Sequence, residues 1–345
     1  MCIRLHPLST FEHCQRPMTD KIVQELKCAG DDPIGLLPGR TLNENRLACP
    51  GEKEGLEERL IGLMKQEVAV VAPISGQELL ENQLDHSLGL VRLLRSATGL
   101  LGRPLLRACN NRNDWRVTGT AFRRTAPGLE RIDLSQTDAI PGFLDQLAPD
   151  VIIHTAAERR PDVSERDPEG TQRLNVGSTA AIAQWAAAHS AFVIYISSDY
   201  VFDGTQPPYR PTDATHPLNA YGQSKLDGEH AVLQAGCAAA VLRVPLLYGD
   251  VERLDESSVT VLADALIKAA PGQQVKMEHW ATRYPTNTAD VAAVLIGMTA
   301  RRLQDPDFGG IFHWSGNEAM TKYDMACLFA PLVGTDPACI VADPT

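Results

Sequence analysis

Two runs in the middle of the chain, Val151-Ile-Ile and Phe192-Val-Ile-Tyr-Ile, are apolar at consecutive positions rather than at alternate ones. A strand with one face in water alternates; a strand covered on both faces does not, and double cover is the condition of parallel sheets whose connections are helices. The flanking sequence supplies such helices. Strands are expected at Leu90–Arg95, Arg116–Phe122, Val151–Thr155, Phe192–Ser197 and Ala239–Val244, with helices at Leu100–Asn111, Thr171–His189 and Leu218–Gln234 between them. This strand–helix rhythm predicts an α/β fold built on a doubly wound parallel sheet. After Gly249 the rhythm loosens into a helix (Ser257–Ala270), a strand (Gln274–His279), a helix (Asp290–Leu303) and a strand (Ile311–Trp314). Residues 89–250 are therefore expected to form the core, and residues 251–345 a smaller C-terminal lobe intermixed with it.

Residues 1–88 read differently. Four of the eight cysteines lie before Pro50, and no period holds before Gly51. Within this N-terminal extension only Glu54–Glu67 has helical spacing, with Leu56, Leu60, Leu63 and Met64 on one face and a short β-like run at Val68–Val71 after it. The cysteines are thinly spread and never form a CxxC pair, which predicts free thiols, a reducing cytoplasmic setting and no metal site. The net charge of -11 over 345 residues, with no basic block, argues against nucleic acid or an anionic membrane as partner. The apolar run Val68–Ile74 is far short of the roughly 20 residues of a membrane helix.

Ser96-Ala-Thr-Gly-Leu-Leu-Gly102 lies between the first strand and its helix, where backbone N–H groups and a helix N-terminus can meet a pyrophosphate. Such a turn makes the expected sheet Rossmann-type. Thr98, Gly99, Leu100, Leu101 and Gly102 are its candidate contacts, although Ser96 stands where the first glycine of a GxxGxxG turn belongs. Phe122-Arg123-Arg124 closes the second strand about twenty residues on, where an acidic residue holds the ribose of NAD. Arginines there suit the 2′-phosphate of NADP, because guanidinium forks bind phosphate oxygens in pairs. Asp133 and Leu134 are placed to meet the adenine, Thr155 lets a cofactor approach the small-residue loop after the third strand, and Arg159 is placed to reach a phosphate. Pro245 is expected to break the strand ladder so that the backbone near Leu247 meets the cofactor rather than a neighbouring strand.

The sharpest constellation is Ser197-Ser198-Asp199, ending one strand, followed by Tyr221 and Lys225 at i and i+4 on one helix face. A cation beside a phenol favours phenolate and lowers the tyrosine pKa toward working pH, as acid–base chemistry requires. Ser198 is placed to hydrogen-bond a substrate carbonyl, Tyr221 to act as the acid, and Lys225 to hold the phenol and the nicotinamide ribose.

Taken together these residues resemble the extended short-chain dehydrogenase/reductase superfamily and its dTDP-4-dehydrorhamnose reductase branch, on Tyr221, Lys225 and the Asp199–Asp203 loop. Longer runs, Ala156–Asp162, Tyr195–Gly204, Tyr221–Glu229 and Phe312–Glu318, resemble the family of regulatory beta subunits of methionine adenosyltransferase 2. That resemblance runs from about Leu94 onward and does not reach residues 1–88. It implies a non-catalytic protein that binds NADP(H) through the residues above and pairs with the catalytic methionine adenosyltransferase subunit to modulate S-adenosylmethionine synthesis. Ser198, Tyr221 and Lys225 would then be a retained reductase site. The alternatives are an active NADPH-dependent nucleotide-sugar reductase and a nucleotide-free scaffold. Two departures stand out: Arg95-Ser96 replaces the family's Thr-Gly, and the chain stops at Thr345 without its C-terminal segment, so a truncated lobe is expected.

Overall fold

The computed structural model describes residues 91–96 as backbone, and residues 99–122 and 128–345 in full. The expected helix at Glu54–Glu67 and run at Val68–Val71 lie outside the described residues, as do Thr98, Arg123 and Arg124. In chain order the elements are β1 (Val91–Ser96), α1 (Gly102–Asn110), β2 (Trp115–Ala121), β3 (Leu129–Arg131), α2 (Ile140–Leu147), β4 (Val151–His154), α3 (Pro161–Arg166) and α4 (Pro168–Thr171). A π-helical segment (Gln172–Gly177) leads into α5 (Ser178–His189), then β5 (Phe192–Ser198), α6 (Ala220–Gln234), β6 (Ala238–Val244) and β7 (Leu247–Tyr248). The chain continues through α7 (Thr260–Lys268), β8 (Val275–Glu278), β9 (Thr286–Asn287), α8 (Thr288–Gln304), β10 (Gly310–His313), α9 (Lys322–Phe329) and β11 (Ile340–Asp343).

The main sheet has seven strands in the order β10-β6-β5-β4-β1-β2-β3, and every pairing in it is parallel. The consecutive apolar runs are explained by two covers. On one face Ile153, Ile194 and Leu242 pack with Leu105 of α1 and Val291 and Leu295 of α8. On the other, Ile152, Val193 and Val241 pack with Leu144 of α2, Ile182 of α5 and Val232 of α6. Alternate residues of one strand thus belong to two different cores, so neither face of these apolar runs meets water.

The C-terminal part divides more finely than a single run from residue 251 to 345. Helix α8 covers the main sheet, and β10 joins its edge beside β6, with Ile311 opposite Val241. A second core is left to α7, α9 and the parallel pair β8–β11, built from Leu262, Leu266, Met325, Phe329 and Ile340. Leu100 of the glycine turn and Leu246 pack against that second core. β1 lies between β2 and β4, so the order reverses there, and crevices at the carboxyl ends of strands open at such switch points.

Candidate functional site: a dinucleotide-shaped cleft

A cleft of about 1220 Å³ opens along the carboxyl ends of the strands. Its walls bring together Gly99, Leu100, Leu101, Gly102, Phe122, Asp133, Leu134, Thr155, Arg159, Ser198, Tyr221, Lys225 and Leu247, which are all the sequence-expected site residues among those described. These positions span almost 150 residues of chain, so only the sheet order assembles them.

Helix α1 begins at the turn. Its N-cap, Leu101, offers no side-chain acceptor, and no acidic residue lies in its first turn. A helix N-terminus with no acidic residue in its own first turn suits an anion. Arg103, one residue into α1, turns away to donate to Glu256 Oε2 at 2.7 Å and to the carbonyl of Asp250 at 2.9 Å. It ties the turn to the 250–258 loop beside it, and the two line the same side of the cleft. Across the cleft, Asp133 Oδ1 accepts from the backbone N and the hydroxyl of Ser135, an Asx turn that holds Asp133 and Leu134 at the wall.

The small-residue loop after β4 is held by a residue the sequence reading missed. Asn175, buried in the π-helical segment, accepts from Glu158 N at 2.7 Å and donates to Glu158 O at 3.0 Å and to Ser224 Oγ at 2.9 Å. One amide therefore fixes the loop bearing Thr155 and Arg159 and the helix bearing Tyr221 and Lys225. Short π segments inside helices recur at functional sites. The only signal in the sequence is an amide set between two apolar residues, Leu174 and Val176. Glu158 also pairs with Arg160 through both oxygens, at 3.0 and 3.1 Å, whereas Arg159 lines the cleft, its guanidinium held below the usual value by burial and by Arg160.

Ser198 ends β5, and its hydroxyl donates to Asp199 Oδ1 at 3.1 Å and accepts from Tyr200 N at 3.3 Å. Helix α6 starts at Asn219, whose side chain accepts from Gly222 N at 2.8 Å, so Tyr221 falls in its first turn. A Cβ on Gly222 would collide with the carbonyl of Tyr200, so glycine is what lets α6 lie close enough for Tyr221 to reach Ser198. The Tyr221 ring stands edge-on to Tyr200 at 5.5 Å.

The electrostatics correct one expectation. Burial pushes the Tyr221 phenol well above its ordinary range, and Asp199 and Tyr200 add to the rise, while Ser198 and Arg159 oppose it. Lys225 is not among the larger influences on it. Its ammonium lies over the ring of Tyr195, 4.2 Å from the centroid, and burial brings Lys225 down to about 7. Asp199 is buried too and is pushed up to about 7. Low polarity outweighs the nearby cation, and the site holds a protonated phenol.

Leu247 corrects another. The main ladder does end at Val244, but the backbone of Leu247–Tyr248 pairs in parallel with Thr286–Asn287, and Ser257 Oγ donates to the carbonyl of Leu247 at 2.8 Å. The freed backbone finds another strand, and Leu247 serves the cleft as part of its wall.

Fold and cleft together define the class: a Rossmann-type α/β protein with Ser198, Tyr221 and Lys225 lining its cleft. Comparison with known proteins makes this specific. The sequence profile of the RmlD substrate binding domain matches residues 92–345. Methionine adenosyltransferase 2 subunit beta of Rattus norvegicus is 50% identical over 238 residues, 69% of this chain and 70% of that protein. The dTDP-4-dehydrorhamnose reductase of Aggregatibacter actinomycetemcomitans is 27% identical over 237 residues, 68% of this chain and 76% of that one. Among solved structures, the dTDP-4-dehydrorhamnose reductase of Yersinia enterocolitica has a TM-score of 0.62 and 26% identity, covering 74% of this chain and 84% of its own. That of Bacillus anthracis, in complex with NADP, has the same TM-score of 0.62 at 20% identity, covering 74% and 85%. The chain belongs to the RmlD substrate binding domain family and, within it, to the family of methionine adenosyltransferase 2 beta subunits. Among the described residues no helix is long and apolar enough to cross a membrane, and no cluster of ligating side chains could hold a metal ion.

Proposed function

We propose that this protein is a non-catalytic regulatory subunit of a methionine adenosyltransferase, acting in the cytoplasm, which binds NADP(H) in the cleft and associates with the catalytic subunit to modulate S-adenosylmethionine synthesis. The observation that carries the reading is the 50% identity to relatives bearing the name of that beta subunit. The donor set supports the dinucleotide: a helix N-terminus without acidic residues for the pyrophosphate, Asp133 and Leu134 for the adenine, Arg159 for a phosphate, and Lys225 for the nicotinamide ribose. Arg123 and Arg124, next after Phe122 in the sequence, would favour the 2′-phosphate and hence NADP over NAD. Residues 89–250 would supply this site, residues 251–345 the lobe across it, and residues 1–88 an extension of separate role. The test is a pull-down with the catalytic subunit, with and without NADP, followed by assay of S-adenosylmethionine formation. Co-purification with altered synthesis is expected; failure to associate under either condition overturns the reading.

A second reading is favoured by one observation, that Ser198, Tyr221 and the buried Lys225 line the same cleft. NADPH, when bound, supplies a hydride. Ser198 would orient a substrate carbonyl, Tyr221 would give it the phenolic proton, and Lys225 would hold the ribose. A nucleotide-sugar reductase of this kind should oxidise NADPH with a 4-keto sugar nucleotide and lose that activity in Tyr221→Phe. No turnover by the unmodified chain would leave the regulatory reading alone.

A further inference from the structure

Lys225 is a buried cation with no carboxylate within ion-pair distance among the described residues. An ammonium so placed needs another source of negative potential, and the face of an aromatic ring is one. Tyr195, in the middle of β5 and fully buried, lies under it. Two further features hold that ring in place. The Tyr195 hydroxyl lies 3.5 Å from the carbonyl of Lys225 itself, so one side chain meets both ends of the same residue. Gly228, one turn along α6, makes the room: a Cβ there would collide with the Tyr195 hydroxyl.

We propose that Tyr195 is the seat of Lys225, a positioning residue whose ring face holds the ammonium aimed into the cleft before any dinucleotide arrives, with Gly228 as the notch that admits its hydroxyl. The proposal rests on the dinucleotide reading of the cleft and adds a residue to it. A lysine seated on a ring keeps its N–H donors on the cleft side, whereas a carboxylate partner would take them up. Binding then spends less on ordering a flexible side chain.

The charge on Lys225 is also set by its neighbours. His154 of β4 faces it and is kept neutral by burial. Tyr195 of β5 is pushed well up by burial and stays neutral. On its own helix, Glu229 raises the lysine but is itself paired with Arg243. Removing the ring should therefore make the cation harder to keep.

The experiment titrates NADPH, followed by its fluorescence, into the full chain and into Y195F, Y195L, G228A and K225M, from about pH 6 to about pH 9. The unmodified chain should bind less tightly as pH rises through the ionisation of Lys225. Y195F keeps the ring and should stay within about twofold; Y195L should lose about tenfold, with its pH midpoint moved to lower pH. G228A should show a smaller loss with the same direction of shift, and K225M weak binding without that pH dependence. Y195L binding as tightly as the unmodified chain, or weaker by one constant factor at every pH, overturns the proposal. If the unmodified chain binds no NADPH, the dinucleotide reading fails instead. The seat is then tested directly by following the Lys225 Nζ ionisation by NMR in the ligand-free protein, where an equal midpoint in Y195F and G228A overturns it.

Discussion

The two walls of the cleft are built on different principles. The wall made by the glycine turn, α1 and the 250–258 loop is held by ion pairs of graded burial: Arg103 to Glu256 with side-chain exposures of 14% and 8%, and Arg107 to Asp250 at 2.7 Å with Arg107 nearly half exposed. The wall made by β5 and α6 is held by charges removed from water: Arg243 grips Glu229 through both oxygens at 2.8 and 2.7 Å, with side-chain exposures of 3% and 1%. Ser197 also donates to Glu229, and the Arg243 guanidinium lies over Phe202 at 5.0 Å. Water screens the half-exposed Arg107 and excuses the loss of its pair, whereas a buried charge that loses its partner has nothing to replace it. The wall carrying Ser198, Tyr221 and Lys225 is therefore expected to be the brittle one.

The sharpest way to break that comparison is Glu229→Ala. It should cost about 3 to 5 kcal/mol of stability in urea unfolding, because the buried Arg243 charge is left unpaired. A loss below about 1 kcal/mol, the range of exposed pairs, would mean that the two walls do not differ in kind. Next comes Gly222→Ala, where the added methyl meets the Tyr200 carbonyl. Overpacking of this sort costs about 1 to 3 kcal/mol, and it should weaken NADPH binding as well, since Tyr221 is carried away from Ser198.

A third test uses pH. Burial raises Asp199 to about 7 in the folded chain, above its value in the unfolded one. Between about pH 4 and pH 7 the folded chain keeps a proton that the unfolded chain has given up, so this contribution is present in acid and is lost as pH rises through about 7. Asp199→Asn should remove that fall. Relative to the variant, the unmodified chain should lose a few degrees in Tm across the window; parallel Tm profiles would show that Asp199 is not held protonated. The smallest effect belongs to the other wall: Arg107→Ala should change stability by no more than about 1 kcal/mol, and a loss as large as that of Glu229→Ala would erase the contrast.

Most of the main sheet was legible because its strands are short, apolar on both faces and separated by helices of ordinary length. The observed strands fall within one or two residues of those expected at Val151, Phe192 and Ala239. The short strand Leu129–Arg131, which is partly exposed and charged, carries no such signature and escaped. So did α2 and α9, each of only eight residues. The expected strand at Ile311–Trp314 was found at Gly310–His313, but nothing local says that it pairs with β6. In the site, residues recognisable by chemical type were readable: glycines at a turn, arginines after a strand, a tyrosine and a lysine four apart. Asn175, Arg103, Glu229 and Arg243 were not, because their meaning lies in partners between 14 and 153 residues away.

By itself the sequence determined that two-sided burial would make a parallel, helix-covered sheet, and it placed a glycine turn and a Ser–Tyr–Lys set at the carboxyl ends of its strands. Hydrophobic periodicity and turn chemistry are local properties, written in consecutive residues. What only the tertiary structure decided is the electrostatic state of the site. On the helix surface Lys225 neighbours Tyr221, yet burial raises the phenol and seats the ammonium on Tyr195. The ionisation of a buried group depends on how much water is excluded and on which dipoles remain, and both are set by chain segments far away in sequence.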